Sequence, residues 1–197
     1  MQVEPLPHIS GLLAALMCSN TRGTVHHMTV AGARRCFSLV DAAERGVAPV
    51  PVLIMHHGQG DTAASFCSGD FAEQVARHGI ALVCTEAIAG EWKFSDPKLC
   101  LYADRAGDLR YIANVLRALE RQPLRFDSKR VFQAGFSQGA LMAAYASFCL
   151  APKIVGFGQA GSSASGYRLH VHRTKPPLRI CTWCNEDVRC QVIELGS

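Results

Sequence analysis

The run Gly135-Phe136-Ser137-Gln138-Gly139 constrains this chain more than any other stretch. A serine hydroxyl becomes a useful nucleophile only where the backbone presents it to a base and an electrophile. Gly-x-Ser-x-Gly does this through a strained turn from strand to helix, with glycines where side chains would clash. The flanks agree with that geometry. Arg130-Val131-Phe132-Gln133-Ala134 is a short apolar run with strand preference behind the polar Asp127-Ser128-Lys129 turn. Ala140-Leu141-Met142-Ala143-Ala144-Tyr145-Ala146 consists largely of good helix formers. Strand, serine and helix therefore stand in the order nucleophilic chemistry needs. The alternative is a glycine-rich turn whose serine merely caps a helix.

The rest of the chain reads as strands alternating with helices. Cys36-Phe37-Ser38-Leu39-Val40 is an early strand between the turn glycines Gly32 and Gly46. Val50-Pro51-Val52-Leu53-Ile54-Met55 is a continuous apolar run, as expected of a strand buried on both faces of a parallel sheet, and it opens into the loop His56-His57-Gly58-Gln59-Gly60-Asp61. Phe71–His78 reads as a helix with Phe71, Ala72 and Val75 on one side and Gly79 as its stop. Ile80–Cys84 is another buried strand. Asp104–Gln122 is the clearest helix, with Leu109, Ile112, Val115, Leu116 and Leu119 at helical spacing and Asp104 and Asp108 near its positive end. Ile154–Gly158 and Leu178–Trp183 are the remaining strands, the second being the last. Such alternation implies right-handed crossovers and a mostly parallel sheet with helices on both faces. Functional groups collect at the carboxyl ends of those strands, so the His57 loop, Ser137 and the loop Asn185–Asp187 are expected on one edge.

Composition excludes several other classes. Hydrophobic content of 49% with 18% charged residues over 197 residues describes one globular domain with a core. The formal charge of +4 comes from scattered basic residues, with no basic stripe interleaved with aromatics, so no nucleic-acid partner is indicated. No apolar run approaches the roughly 20 residues that span a bilayer. Ile9–Cys18 resembles the core of a signal peptide, but Glu4 precedes it without Lys or Arg. The nine cysteines point to disulfides in an oxidising compartment, which slightly favours an extracellular location, and Cys184 and Cys190 are close enough in sequence to pair. Cys181-x-x-Cys184 has no second pair at zinc-site spacing, so no metal is expected, and no cofactor motif is present.

Acyl transfer needs a nucleophile, a base, an acid to orient the base, and donors for the developing oxyanion. Ser137 is the candidate nucleophile. The backbone N–H of Gln138 and that of Gln59 are the candidate oxyanion donors. His56 and His57 lie on the oxyanion side, where a loop-packing role is expected rather than that of the base. With strand, His-Gly loop, helix, strand, Gly-Phe-Ser-Gln-Gly and a later acidic loop in sequence, the chain resembles the α/β-hydrolase superfamily over roughly residues 34–190. That resemblance makes residues 1–33 a lead-in and 34–197 the hydrolase domain.

Within the superfamily, two branches fit. His57-Gly58-Gln59-Gly60 with Thr62-Ala63-Ala64-Ser65-Phe66, Trp92, and Asp127-Ser128-Lys129-Arg130-Val131-Phe132 are similar to the polyhydroxybutyrate depolymerase and feruloyl esterase-like branch. Gly60-Asp61-Thr62 and the serine motif are similar to the carboxylesterase and acyl-protein thioesterase branch. The first runs through more of the chain and implies a serine ester hydrolase acting on a small-molecule or polymeric ester. The family places its acid after the Leu178–Trp183 strand, which implies Asp187, with Glu186 the alternative and Asn185 where many members carry aspartate. It places the base histidine later still. No histidine occurs among residues 188–197. The expectation is then of a sheet lacking its last strand and helix, with Leu178–Trp183 as an exposed edge and His170 or His172 as substitute bases. A non-catalytic hydrolase-like module is the rival.

Overall fold

The computed structural model describes residue 18 and residues 20–43, 49–93, 100, 107–122, 125–162, 178–184 and 187–193, the last two stretches as backbone. The expectations for Ile9–Met17, Gly46, Asp104, His170, His172, Asn185 and Glu186 lie outside the described residues.

Eight strands form one sheet: β1 (Thr24–Val30), β2 (Ala33–Val40), β3 (Val50–His56), β4 (Ala81–Thr85), β5 (Phe126–Phe136), β6 (Gly156–Ala160), β7 (Leu178–Cys184) and β8 (Asp187–Ile193). Their spatial order is β1-β2-β4-β3-β5-β6-β7-β8. The five strands from β4 to β7 run parallel, while β1 and β2 at one side and β8 at the other are antiparallel. The central strands are apolar throughout because helices cover both faces, and strand alternation divides their side chains between two cores. Val52, Ile54, Ala81 and Val83 face α3 (Asp108–Glu120) and α4 (Gln138–Cys149). Leu53, Met55, Leu82 and Cys84 face the other way, where Cys67 of α1 (Ala64–Cys67) and Ala72 and Val75 of α2 (Gly69–Arg77) pack.

α3 is amphipathic, with Leu109, Ile112, Val115, Leu116 and Leu119 buried as their spacing predicts. By contrast, α4 is apolar nearly all round and has eight buried residues, which suits a helix pressed on the sheet behind the serine. Disulfides Cys18–Cys36, Cys67–Cys84 and Cys100–Cys149 cross-link the described residues. The second ties α1 to β4.

Several expectations need correction. Leu178–Trp183 is not the final strand or an edge, because β8 follows and pairs along the whole of β7. Only two residues join them, which permits a hairpin and forbids the dozen-residue crossover that parallel pairing requires. The register also sets Cys190 across from Cys181, whereas sequence proximity suggested Cys184. β1 was not foreseen: its only buried residue is Val30, so its apolar pattern is faint, and pairing with β2 is what makes it a strand. The strand expected at Ile154–Gly158 begins two residues later, since Ile154 tucks into the core beside α3 and α4. Phe71 does not join Ala72 and Val75 inside; it is exposed and meets the ring of Phe66 edge-on.

Candidate active site

Ser137 joins the end of β5 to the start of α4 with φ 53° and ψ −120°, a conformation that a residue with a Cβ adopts only under strain. Its backbone N–H is held by the Ala160 carbonyl of β6 at 2.8 Å. The motif glycines are required by contact, not by their own torsions. A Cβ on Gly135 would overlap the backbone of Gly139, and one on Gly139 would overlap the carbonyl oxygens of His56 and His57. The helix thus starts flush against the end of β3. Ser137 is part-exposed, and its hydroxyl has no hydrogen-bond partner among the described residues. Beside it, Phe136 is 49% exposed, with Gly58 and Gly161 closing on its ring.

The loop after β3 supplies the opposite wall. A Cβ built on Gly58 would lie 3.5 Å from the Ser137 Cβ, so this loop runs directly past Ser137. Gly60 N–H is taken by the Gly90 carbonyl at 2.8 Å and Asp61 N–H by the Gly58 carbonyl at 3.2 Å. Between them the Gln59 N–H has no acceptor among the described residues, and neither has that of Gln138. The latter is an N-terminal helix amide, one of four that a helix leaves unpaired, at its positive end.

Both loop histidines are fully buried and committed to the scaffold. His57 Nδ1 donates to the Gly58 carbonyl at 2.7 Å, and Nε2 accepts from Ala87 N–H at 3.0 Å. Both ring nitrogens are thereby engaged by the scaffold, and Nε2 also lies 3.6 Å from Glu86 Oε1. His56 Nδ1 donates to Thr85 Oγ1 at 2.7 Å, whose hydroxyl donates onward to the Met55 carbonyl. Burial, reinforced by neighbouring His57, holds the His56 pKa down at about 4, and the Gln133 side chain opposes this only with its amide oxygen toward the ring. The neutral ring needs a donor at Nε2. We therefore assign the Gln133 amide, 2.8 Å away, with its NH2 toward the imidazole; the opposite orientation leaves Gln133 Nε2 buried and unpartnered. Neither histidine can act as base. The loop-packing role expected for them is what their partners describe.

The segment after β4 braces the wall. Glu86 accepts from Ala63 N–H at 2.8 Å, and burial raises its pKa. Trp92, 2% exposed, lies against both loop histidines at centroid distances of 5.2 Å. Behind it, Lys93 N–H donates to Asp108 Oδ2 at 2.6 Å, and Asp108 Oδ1 pairs with Arg35 at 2.7 Å. Arg35 is 1% exposed, stacks on Tyr111 at 4.0 Å and donates to the Glu86 carbonyl. Asp108, expected only to suit the positive end of α3, is therefore half of a buried ion pair. Sequence pattern carried no sign of this beyond the adjacency of Arg34 and Arg35.

Sheet register places the remaining candidates. His56 stands level with Gly135, Phe136 with Ala160, Ala160 with Trp183, and Cys184 with Asp187. Asp187 opens β8 beside Cys184, the last residue of β7, and so stands three strand spacings from β5, about 14 Å at about 4.8 Å per spacing. Among the described residues no group of three or more metal-ligating side chains converges, and no helix is long and apolar enough to cross a membrane.

The strand order, with a sharp serine turn from β5 into α4, is that of the α/β-hydrolase fold. No protein-family model and no curated protein matches the chain. Solved structures do. Acetyl xylan esterase from Aspergillus awamori is similar at TM-score 0.55 and 18% identity, over 76% of this chain and 57% of that one. Native sOPH gives 0.55 and 18%, over 72% and 51%. The 2,6-dihydroxy-pseudo-oxynicotine hydrolase gives 0.53 and 18%, over 69% and 36%. The chain therefore has the α/β-hydrolase fold and spans about half, or less, of the length of these neighbours.

Proposed function

We propose that this chain carries the nucleophile and oxyanion elements of a serine ester hydrolase. Ser137 Oγ attacks the ester carbonyl carbon while its proton passes to a histidine base. The oxyanion is held by the Gln59 and Gln138 amides, the alcohol leaves with the proton, and water then hydrolyses the acyl-enzyme. Asp187 orients the base. His56 and His57 are excluded from that role by their committed ring nitrogens, and His170 or His172 are the substitute bases that the sequence reading offers. The observation that carries the proposal is the strained Ser137 backbone between β5 and α4, with the Gly58 loop passing beside it and with the Gln59 and Gln138 amides lacking an acceptor among the described residues. Strain at an uncommon φ persists where the surroundings impose it, and here the surroundings are the close-packed glycines.

The ester is of the polyhydroxybutyrate depolymerase and feruloyl esterase-like kind, supported by the His57–Gly60 loop, by Trp92 packed against it, and by the half-exposed ring of Phe136 beside the nucleophile. The carboxylesterase or acyl-protein thioesterase alternative rests on the serine motif itself. A fluorophosphonate probe tests the central claim: stoichiometric labelling that disappears in Ser137→Ala supports it, and equal labelling of the two proteins refutes it. Panels of hydroxybutyrate oligomers, feruloyl esters and acyl thioesters then separate the branches.

A further inference from the structure

We propose that Trp92 is a positioning residue that sets the spacing of the two oxyanion donors; this rests on the ester-hydrolase assignment above. The two amides come from elements distant in sequence, Gln59 from the loop after β3 and Gln138 from the start of α4. Trp92 bonds to both elements. Its indole Nε1–H donates to the His57 carbonyl at 2.8 Å, two residues before Gln59. Its backbone N–H donates to the Gln138 Oε1 at 2.9 Å, so the side chain of Gln138 anchors the residue whose own amide is the other donor. One buried residue therefore clamps both walls.

The clamp is itself fixed from behind. The adjacent Lys93 N–H is held by Asp108, whose charge is balanced by buried Arg35. The Gly90 carbonyl, two residues before Trp92, holds Gly60 N–H, which adds a second tie to the same loop. Oxyanion stabilisation depends on donors that stand in place before charge develops, and small misplacements at a reacting centre are expensive in rate. A residue that fixes donor spacing without touching substrate should act on the chemical step and leave substrate binding alone.

The test compares the full chain with Trp92→Phe, which keeps an aromatic ring in the socket but cannot donate to His57. Phosphonylation of Ser137 by a fluorophosphonate and p-nitrophenol release from p-nitrophenyl acetate are measured on both. The expected result is a fall in the acylation rate constant of about tenfold or more with KM unchanged and labelling still reaching one per chain. An acylation rate equal to the parent's, or a loss confined to KM, overturns the proposal. Absence of labelling in the parent removes the Ser137 assignment first, and this proposal with it. Should Trp92→Phe not fold, 3-benzothienylalanine incorporated at position 92, with sulfur in place of the indole N–H, decides by the same criteria.

Discussion

Acidification loads a proton onto His56 in the unfolded chain well before it does so in the folded one, and stability should fall accordingly. The ordinary imidazole pKa of 6.5 is held down at about 4 by burial against Trp92 and His57. Between those two values the unfolded state binds more protons than the folded state, so stability rises with pH and is lost as pH falls through the window. The linkage relation gives about 2 kcal/mol lost between pH 7 and pH 5, and about 3 kcal/mol by pH 4, from this group alone. Glu86 acts in the opposite sense, because burial raises its pKa and the folded state there takes up a proton more readily. The profile of the parent protein therefore mixes the two. Urea unfolding from pH 7.5 to 4.5, compared with His56→Gln, isolates the histidine. The variant should lack the extra slope below pH 6.5, and the His56 ring proton signals in NMR should stay flat down to about pH 5. A His56 titration near 6.5, or identical pH slopes in the two proteins, would refute both the neutral assignment and the Gln133 orientation derived from it.

Four further outcomes are expected. Ser137→Gly should remove covalent labelling yet raise stability by about 1 kcal/mol, since glycine accepts φ 53° without strain; a destabilised Ser137→Gly would argue against a strained turn. Gly139→Ala should cost about 3 kcal/mol, the upper end for overpacking, because the added methyl meets the backbone of His56 and His57; an unfolding midpoint within error of the parent's would contradict that contact. Arg35→Met should destabilise by about 3–5 kcal/mol by removing one side of a buried ion pair with Asp108, and Arg35→Met with Asp108→Leu should recover much of the loss. If Asp187 orients the base, Asp187→Asn should slow acylation by up to about 10⁴-fold with little change in unfolding midpoint, measured in a protein shown to label at Ser137; a larger loss in Glu186→Gln would move the assignment by one residue.

What could be read in the sequence was what local chemistry dictates. The serine turn was legible because its glycines and its strand-then-helix flanks are adjacent in the chain. The central strands were legible because burial on both faces demands unbroken apolar runs, as in Val50–Met55 and Ala81–Cys84. The parallel architecture followed from their alternation with helices. Other features depended on partners far away in sequence, and there pattern failed or was silent. β1 becomes a strand by pairing with β2, and β8 reverses direction because only two residues separate it from β7, too few for a parallel crossover. Nothing local says that Arg35 is buried, since an arginine loses water only where Asp108, Tyr111 and the Glu86 carbonyl replace it, and these lie 51 or more residues on. Likewise His57 beside a glycine loop is chemically ambiguous until Ala87 and Gly58 occupy its two nitrogens. Sequence alone determined which backbone could bend at Ser137 and which runs must be buried. Tertiary structure decided which polar groups were already spent on one another, because a hydrogen bond or ion pair has no identity until both of its ends are in place.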